Sequence, residues 1–186
     1  MKKIHQVNLD EKLISSRVGF IGKLLKVQIA TVTLPNGKES TRETIKHPGA
    51  VGILPVLEDG SMVFVKQYRY PVGTVLYEIP AGKLEPGEDP DECAPRELSE
   101  ETGYMAKEWK HLTSIVTTPG FTDEVIHLYL AKGLTKAKQH TDEDEFIDIV
   151  VFSPDQVKKM VLEEDIFDAK TLSALLLYYI CEQNVN

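Results

Sequence analysis

Residues 82–104 read GKLEPGEDPDECAPRELSEETGY, and this stretch decides what the rest of the chain must build. It holds eight acidic residues against two basic ones. Its second half reads as a helix carrying Glu97, Glu100 and Glu101. At ~100° per residue those three carboxylates share one face, because positions i, i+3 and i+4 are helical neighbours. Each close pair of like charges costs roughly a few tenths of a kcal/mol. The face has no lysine, and Arg96 stands at its border. A helix that needed only solubility would interleave lysines. This one is arranged to meet something cationic.

The wider composition limits what that could be. At 186 residues the chain suits one globular domain with a small terminal extension. Hydrophobic residues make up 42% and charged ones 27%, and no apolar run approaches the length of a membrane span. The opening MKKIH leads into polar sequence, so no signal peptide is expected. Cys93 and Cys181 lack metal-type spacing and are expected to be free thiols in a reducing cytoplasm. A net charge of −8 argues against a sequence-independent grip on nucleic acid, which needs a basic footprint. An acidic protein still binds phosphates when metal ions supply the positive charge.

Upstream, residues 1–14 are polar and mixed and receive no assignment. Residues 16–46 look strand-like, with 19–34 alternating from Leu25 onward. Pro35-Asn36-Gly37-Lys38 marks a hairpin turn, and 41–45 reads as the returning strand. This hairpin is equally an ordinary part of the domain's own sheet or a subunit contact. Residues 50–57, 62–68 and 75–79 read as strands, as do 109–116, 125–131 and 146–152 around and after the acidic helix. Two helices follow, 154–162 with Ser153 as N-cap and 169–181 with Asp168 as cap. The order predicts a mixed α/β domain with a substantial antiparallel component.

Gly82, Glu88, Arg96, Glu97, Leu98, Glu100, Glu101 and Gly103 together resemble the Nudix box: Gly, five residues, Glu, seven residues, Arg-Glu-aliphatic-any-Glu-Glu-any-Gly. Eight fixed positions over so short a stretch make the match specific. The resemblance runs from about residue 49 to the C-terminal helix and implies an α/β/α sandwich with a mixed sheet, the box forming loop-helix-loop. The flanks, Arg42-Glu43-Thr44, residues 46–50 and residues 79–88 (IPAGKLEPGE), look most like ADP-ribose pyrophosphatases. Two departures stand out. Tyr104 replaces the usual closing aliphatic residue, a small change. Pro95 directly precedes Arg96 and would cost ~3 kcal/mol inside a helix, so the helix is expected either to start later than usual or to kink near its start.

Carboxylates are hard oxygen ligands suited to Mg²⁺ or Mn²⁺, and no Cys/His cluster competes with them. Glu97, Glu100 and Glu101 are the expected metal ligands, for two or more ions that would bridge a diphosphate and activate a water. The resemblance adds the backbone carbonyl of Ala81. Arg96 is expected to orient Glu100, its i+4 neighbour, without binding metal. On substrate, the resemblance points to Arg69, whose fork suits phosphate oxygens, and to Pro119, sixteen residues after Gly103. It also implies a catalytic glutamate from the acidic loop 141–145, where Glu143 and Glu145 are the two candidates for handling the attacking water. The five histidines form no constellation, and Cys93 reads as packing.

The implied function is metal-dependent hydrolysis of the pyrophosphate bond of a nucleoside diphosphate sugar, with ADP-ribose giving AMP and ribose 5-phosphate. The alternatives are another sugar nucleotide such as GDP-mannose, or a non-catalytic Nudix module that senses a ligand. Such modules typically lose a box glutamate, and this chain keeps them all. The resemblance further implies a homodimer, with residues 1–46 as an N-terminal β-region at the contact and 47–186 as the hydrolase domain.

Overall fold

A computed structural model describes residues 9–23, 25–139 and 146–183. They fall into two compact units, one made of residues up to 47 together with 118–124, the other of 48–117 and residues from 125 on.

The first unit is an antiparallel sheet of β1 (Lys12–Ile21), β2 (Lys26–Thr33) and β3 (Glu39–Ile45), in that order. The Asn-Gly turn forms as its chemistry requires: Gly37 sits at φ +82°, and Asn36 Oδ1 accepts from the Lys38 amide at 3.0 Å. The stretch 19–34 is not one strand. The chain reverses after Ile21, the Gly22 amide donating to the Leu25 carbonyl at 2.8 Å, and β1 reaches back into residues left unassigned. Register shifts between Leu13 and Ser15, and between Val18 and Phe20, break the period-two pattern that would have revealed β1. Segment 118–124 is tied to the end of β3. The Ile45 amide donates to the Phe121 carbonyl at 2.7 Å, and Asp123 accepts from Lys46 Nζ at 2.7 Å and the His47 amide at 2.9 Å.

The second unit contains β4 (Ala50–Pro55), β5 (Met62–Arg69), β6 (Thr74–Glu78), β7 (Ala81–Lys83), α1 (Pro90–Thr102), β8 (Tyr104–Met105), β9 (Glu108–Val116), β10 (Val125–Lys132), β11 (Thr135–Lys136), β12 (Ile147–Phe152), α2 (Pro154–Leu162) and α3 (Ala169–Gln183). A mixed sheet runs β7-β4-β10-β9, with β4 parallel to β10 and both edges antiparallel. A second sheet, β12-β5-β6, is antiparallel, and β8 pairs with β11.

Every residue of β4 is buried, as expected of a strand covered on both faces. Alternation sorts its side chains. Val51 and Ile53 join Tyr129 and Ala131 of β10 beneath Cys93, Ala94 and Leu98 of α1. Ala50 and Leu54 join Ile126, Leu128 and Leu130 on the opposite face, against Phe64 of β5, Val157 of α2 and Ala174 and Leu175 of α3. The mixed sheet therefore has α1 on one side and the second sheet with the C-terminal helices on the other, the expected sandwich. Truncating fully buried Leu98 to Ala would cost about 2–5 kcal/mol.

Helix ends follow their local sequence. Asp89 caps α1, its side chain accepting from the Asp91 amide at 2.9 Å, with Pro90 in the first turn and Gly103 closing the helix at φ +65°. Ser153 and Gln156 form a reciprocal capping box on α2. Asp168 Oδ2 accepts from the Thr171 amide at 3.0 Å at the start of α3. Because α1 begins at Pro90, Pro95 lies within it and the expectation of a late start is overturned. Pro95 has no N–H to give the Asp91 carbonyl, and both residues are exposed.

Candidate active site

Two contacts hold α1 at a fixed height above the mixed sheet. Tyr129 of β10 donates its hydroxyl to Asp91 Oδ1 at 2.6 Å, and burial with this carboxylate beside it pushes the phenol pKa up. At the other end, the Ala81 amide of β7 donates to Glu101 Oε2 at 3.0 Å. Glu101 is only 5% exposed, so its carboxylate is fixed by the backbone rather than by solvent.

Arg96 organises the rest. Its Nε and Nη2 grip Glu88 in a two-point pair at 2.8 and 2.9 Å, and its Nη1 donates to Glu97 Oε1 at 2.8 Å and Glu100 Oε2 at 2.9 Å. Nη2 also approaches the Lys83 carbonyl at 3.4 Å and Cys93 Sγ at 3.3 Å. The hydrogen bonds to Arg96 hold the Glu88 carboxyl down at about 2, and the same bonds raise the arginine. The repulsion expected along this helical face is thus relieved by one guanidinium. The i+4 bond to Glu100 is present, and Glu88 and Glu97 share the same cation.

Gly82 is a geometric requirement. A Cβ built there would lie 1.9 Å from the Glu97 carboxyl carbon, so only glycine lets this carboxylate lie across β7. Burial pushes the Cys93 thiol up to about 12, which suits packing and not a nucleophile.

Among the described residues no three acidic, His or Cys side chains converge on one point as a closed ion site. Glu97 and Glu100 turn to Arg96, and Glu101 to the Ala81 amide. The donor set still fits a hard divalent ion. It consists of carboxylate oxygens on one helix face, beside the glycine-bearing strand that carries Ala81, and two of them, Glu97 and Glu100, already accept from a cation.

Arg69, at the end of β5, makes a second two-point pair. Its Nε and Nη2 donate to the two oxygens of Glu78 at 2.7 and 2.8 Å. Glu78 is 1% exposed and also accepts from Lys170 of α3. Burial pushes the Glu78 carboxyl up, but Arg69 and Lys170 outweigh it and hold its pKa below the ordinary value. The charge of Glu101 also reaches Arg69 and helps keep it protonated.

The structure therefore gathers Glu97, Glu100, Glu101, Arg96 and Ala81, and gives Arg69 a partner. Pro119 is exposed and lies in the first unit. Glu143 and Glu145 lie outside the described residues. Sequence reasoning passed over Glu78 and Lys170. The available signal was an acid two residues after Leu76 in an apolar strand, on the same inward face.

Residues 46–175 match the NUDIX domain family, and the chain belongs to it. Members of this family generally need a divalent metal such as Mg²⁺. The chain is 45% identical over 170 residues to the ADP-ribose pyrophosphatase of Bacillus subtilis (strain 168), covering 90% of this chain and 92% of that one. It is 46% identical over 168 residues to the methanol dehydrogenase activator of Bacillus methanolicus, covering 89% and 91%. A crystal structure of an ADP compounds hydrolase superposes with a TM-score of 0.85 at 21% identity, over 95% of this chain and 96% of that one, and shares the fold.

Proposed function

We propose that the chain is a Mg²⁺- or Mn²⁺-dependent hydrolase that splits ADP-ribose into AMP and ribose 5-phosphate. The observation that carries this reading is the α1 carboxylate face, with Glu97 laid over Gly82 and Glu101 fixed by the Ala81 amide. The Bacillus subtilis relative's name supports the choice of substrate.

Glu97, Glu100, Glu101 and the Ala81 carbonyl would hold the ions, two or more of them. Bound there, a divalent ion polarises the diphosphate and lowers the pKa of a water it holds. Arg96 keeps Glu97 and Glu100 aligned and balances their charge. Arg69 receives phosphate oxygens, and Pro119 shapes the substrate side of its loop. Glu143 or Glu145 orients the water and takes its proton. The water oxygen adds to one phosphorus, the bridging P–O bond breaks, and the other phosphate leaves. No redox partner is required.

In this reading 1–46, whose described part holds β1, β2 and β3, is the region through which the chain pairs as a homodimer, and 47–186 is the hydrolase domain of a cytoplasmic enzyme. All of β1 is exposed, including Leu13, Ile14, Val18, Phe20 and Ile21, more apolar surface than an unpartnered strand ordinarily shows. No described helix is long and apolar enough to cross a membrane. Sedimentation of the full chain beside one lacking residues 1–46 tests the pairing, and an unchanged oligomer would refute it.

The functional test is product analysis on a panel of sugar nucleotides with Mg²⁺. Equimolar AMP and ribose 5-phosphate, with the highest kcat/KM on ADP-ribose, is the expected result. A clear preference for GDP-mannose would move the substrate, and binding without release of product would favour a sensing module.

A further inference from the structure

Glu78 keeps a charged carboxylate where almost none of it reaches water, and groups from two distant parts of the chain converge on it. Arg69 grips both of its oxygens, at 2.7 and 2.8 Å. Lys170 donates to Oε2 and is itself held by Asp168 Oδ2 at 3.1 Å. Asp168 Oδ2 also accepts from the Thr171 amide at 3.0 Å and the Thr171 hydroxyl at 2.6 Å. That hydroxyl oxygen in turn accepts from the Ile79 amide at 2.9 Å, next to Glu78 in sequence. The contacts form a closed circuit between the start of α3 and the end of β6.

Stability alone is a poor reason for such a circuit. Well-packed apolar residues of similar volume often serve a buried position as well as an ion pair does. What apolar residues cannot do is fix the plane of a guanidinium. The Nε/Nη2 edge of Arg69 is clamped, whereas Nη1 has no partner among the described residues. The arginine side chain is 39% exposed against 9% for Lys170 and 2% for Glu78, so the circuit has one open end. The guanidinium also feels the charge of Glu101 on the carboxylate face of α1. A guanidinium fixed in this way presents Nη1 to a phosphate oxygen with its rotamer freedom already lost, which lowers the ordering cost of binding.

We infer that Glu78, braced by Lys170, Asp168 and Thr171, is a positioning residue that holds the Arg69 guanidinium ready for the diphosphate of the substrate. This rests on the reading of the chain as a nucleoside diphosphate sugar hydrolase in which Arg69 contacts that diphosphate. Glu78 touches no substrate and acts through Arg69.

A double-mutant cycle on the full chain tests it, with wild type, Arg69→Ala, Glu78→Gln and the double variant. It is read twice, as steady-state kinetics on ADP-ribose with Mg²⁺ and as the dissociation constant of ADP by calorimetry. Glu78→Gln is expected to raise KM about 3–10-fold, no more than Arg69→Ala does, and to change kcat less than about 3-fold, the pattern of lost binding alignment. On the Arg69→Ala background it should add less than about 2-fold to either reading, because the two residues act as one unit. Lys170→Met, which leaves the Arg69–Glu78 pair standing, should raise KM by a smaller factor.

Multiplying effects in the double variant, or an unchanged KM in Glu78→Gln, would overturn the inference. So would a loss that follows the thermal midpoint and vanishes when the assay is cooled. If Glu78→Gln fails to fold, Glu78→Asp takes its place, keeping the charge but drawing the fork back by one methylene. It should raise KM in the same sense, and an unchanged KM there would also overturn the inference. A wild type that binds ADP with a non-additive cycle yet hydrolyses no sugar nucleotide would defeat the functional reading and leave the positioning role standing.

Discussion

Two arginines in the second unit grip a glutamate through the same edge and at nearly the same distances, yet they are committed to different degrees. Arg96 binds Glu88 through Nε and Nη2 at 2.8 and 2.9 Å, then uses Nη1 for Glu97 and Glu100 and the rest of Nη2 for Lys83 and Cys93. Of the five N–H groups a guanidinium carries, none is left over. Arg69 binds Glu78 at 2.7 and 2.8 Å and among the described residues makes no further hydrogen bond. A saturated guanidinium is scaffold: it sets where carboxylates stand. A half-committed one is oriented and still able to bind. Under the proposed function, the difference would separate the part of the site that builds the cradle from the part that meets the ligand.

The comparison breaks most directly on the arginines themselves. Arg96→Ala leaves three neighbouring carboxylates without their shared cation, and kcat is expected to fall about 10²–10³-fold, as when a preorganised electrostatic partner is removed. Arg69→Ala should instead raise KM by about 10-fold, with the smaller effect on kcat. Steady-state kinetics on both variants decides the matter, and the reverse pattern would exchange the two roles. Between the two arginines in size is Gly82→Ala. Its new methyl must displace the Glu97 carboxylate, and a shift of about 1 Å in such a group costs up to about 10²-fold in rate. Circular dichroism should show the fold unchanged while kcat/KM falls.

A smaller effect lies in pH. The folded pKa of Glu78 is depressed, so the unfolded chain takes up the proton at higher pH than the folded one. The stabilising contribution is therefore present above the ordinary carboxyl range, ~4.3, and is lost as pH falls through the folded value. Thermal melts from neutral to acid pH should show wild type losing more stability than Glu78→Gln over that window. The smallest effect concerns Pro95. Restoring an N–H with Pro95→Ala should stabilise the helix by about 1–3 kcal/mol, less whatever the added freedom of the unfolded chain removes. Denaturant titration measures it.

How much could be read from the sequence depended on how far apart the partners lie along it. Glu97, Glu100 and Glu101 are legible because helical periodicity places them together, and Arg96 is within one turn of Glu100. Glu78 was not, since Lys170 stands 92 residues away and only the packing of α3 against the sheets brings them together. The strand β1 escaped notice because two register shifts disturb its alternation. Pro95 drew attention from a stronger local signal, Asp89-Pro90, which marks a cap and a first turn and does start the helix. The hairpin turn at Asn36-Gly37 needed no tertiary information, because positive φ at glycine is a local property.

The central claim is that the acidic face of α1 performs metal-dependent hydrolysis. Its most direct test compares turnover of ADP-ribose with Mg²⁺ by wild type and Glu101→Gln. The amide variant keeps a side-chain oxygen that can accept from the Ala81 amide, so fold and thermal midpoint should be preserved while turnover falls by about 10³-fold or more. Near-normal turnover in Glu101→Gln would contradict the account.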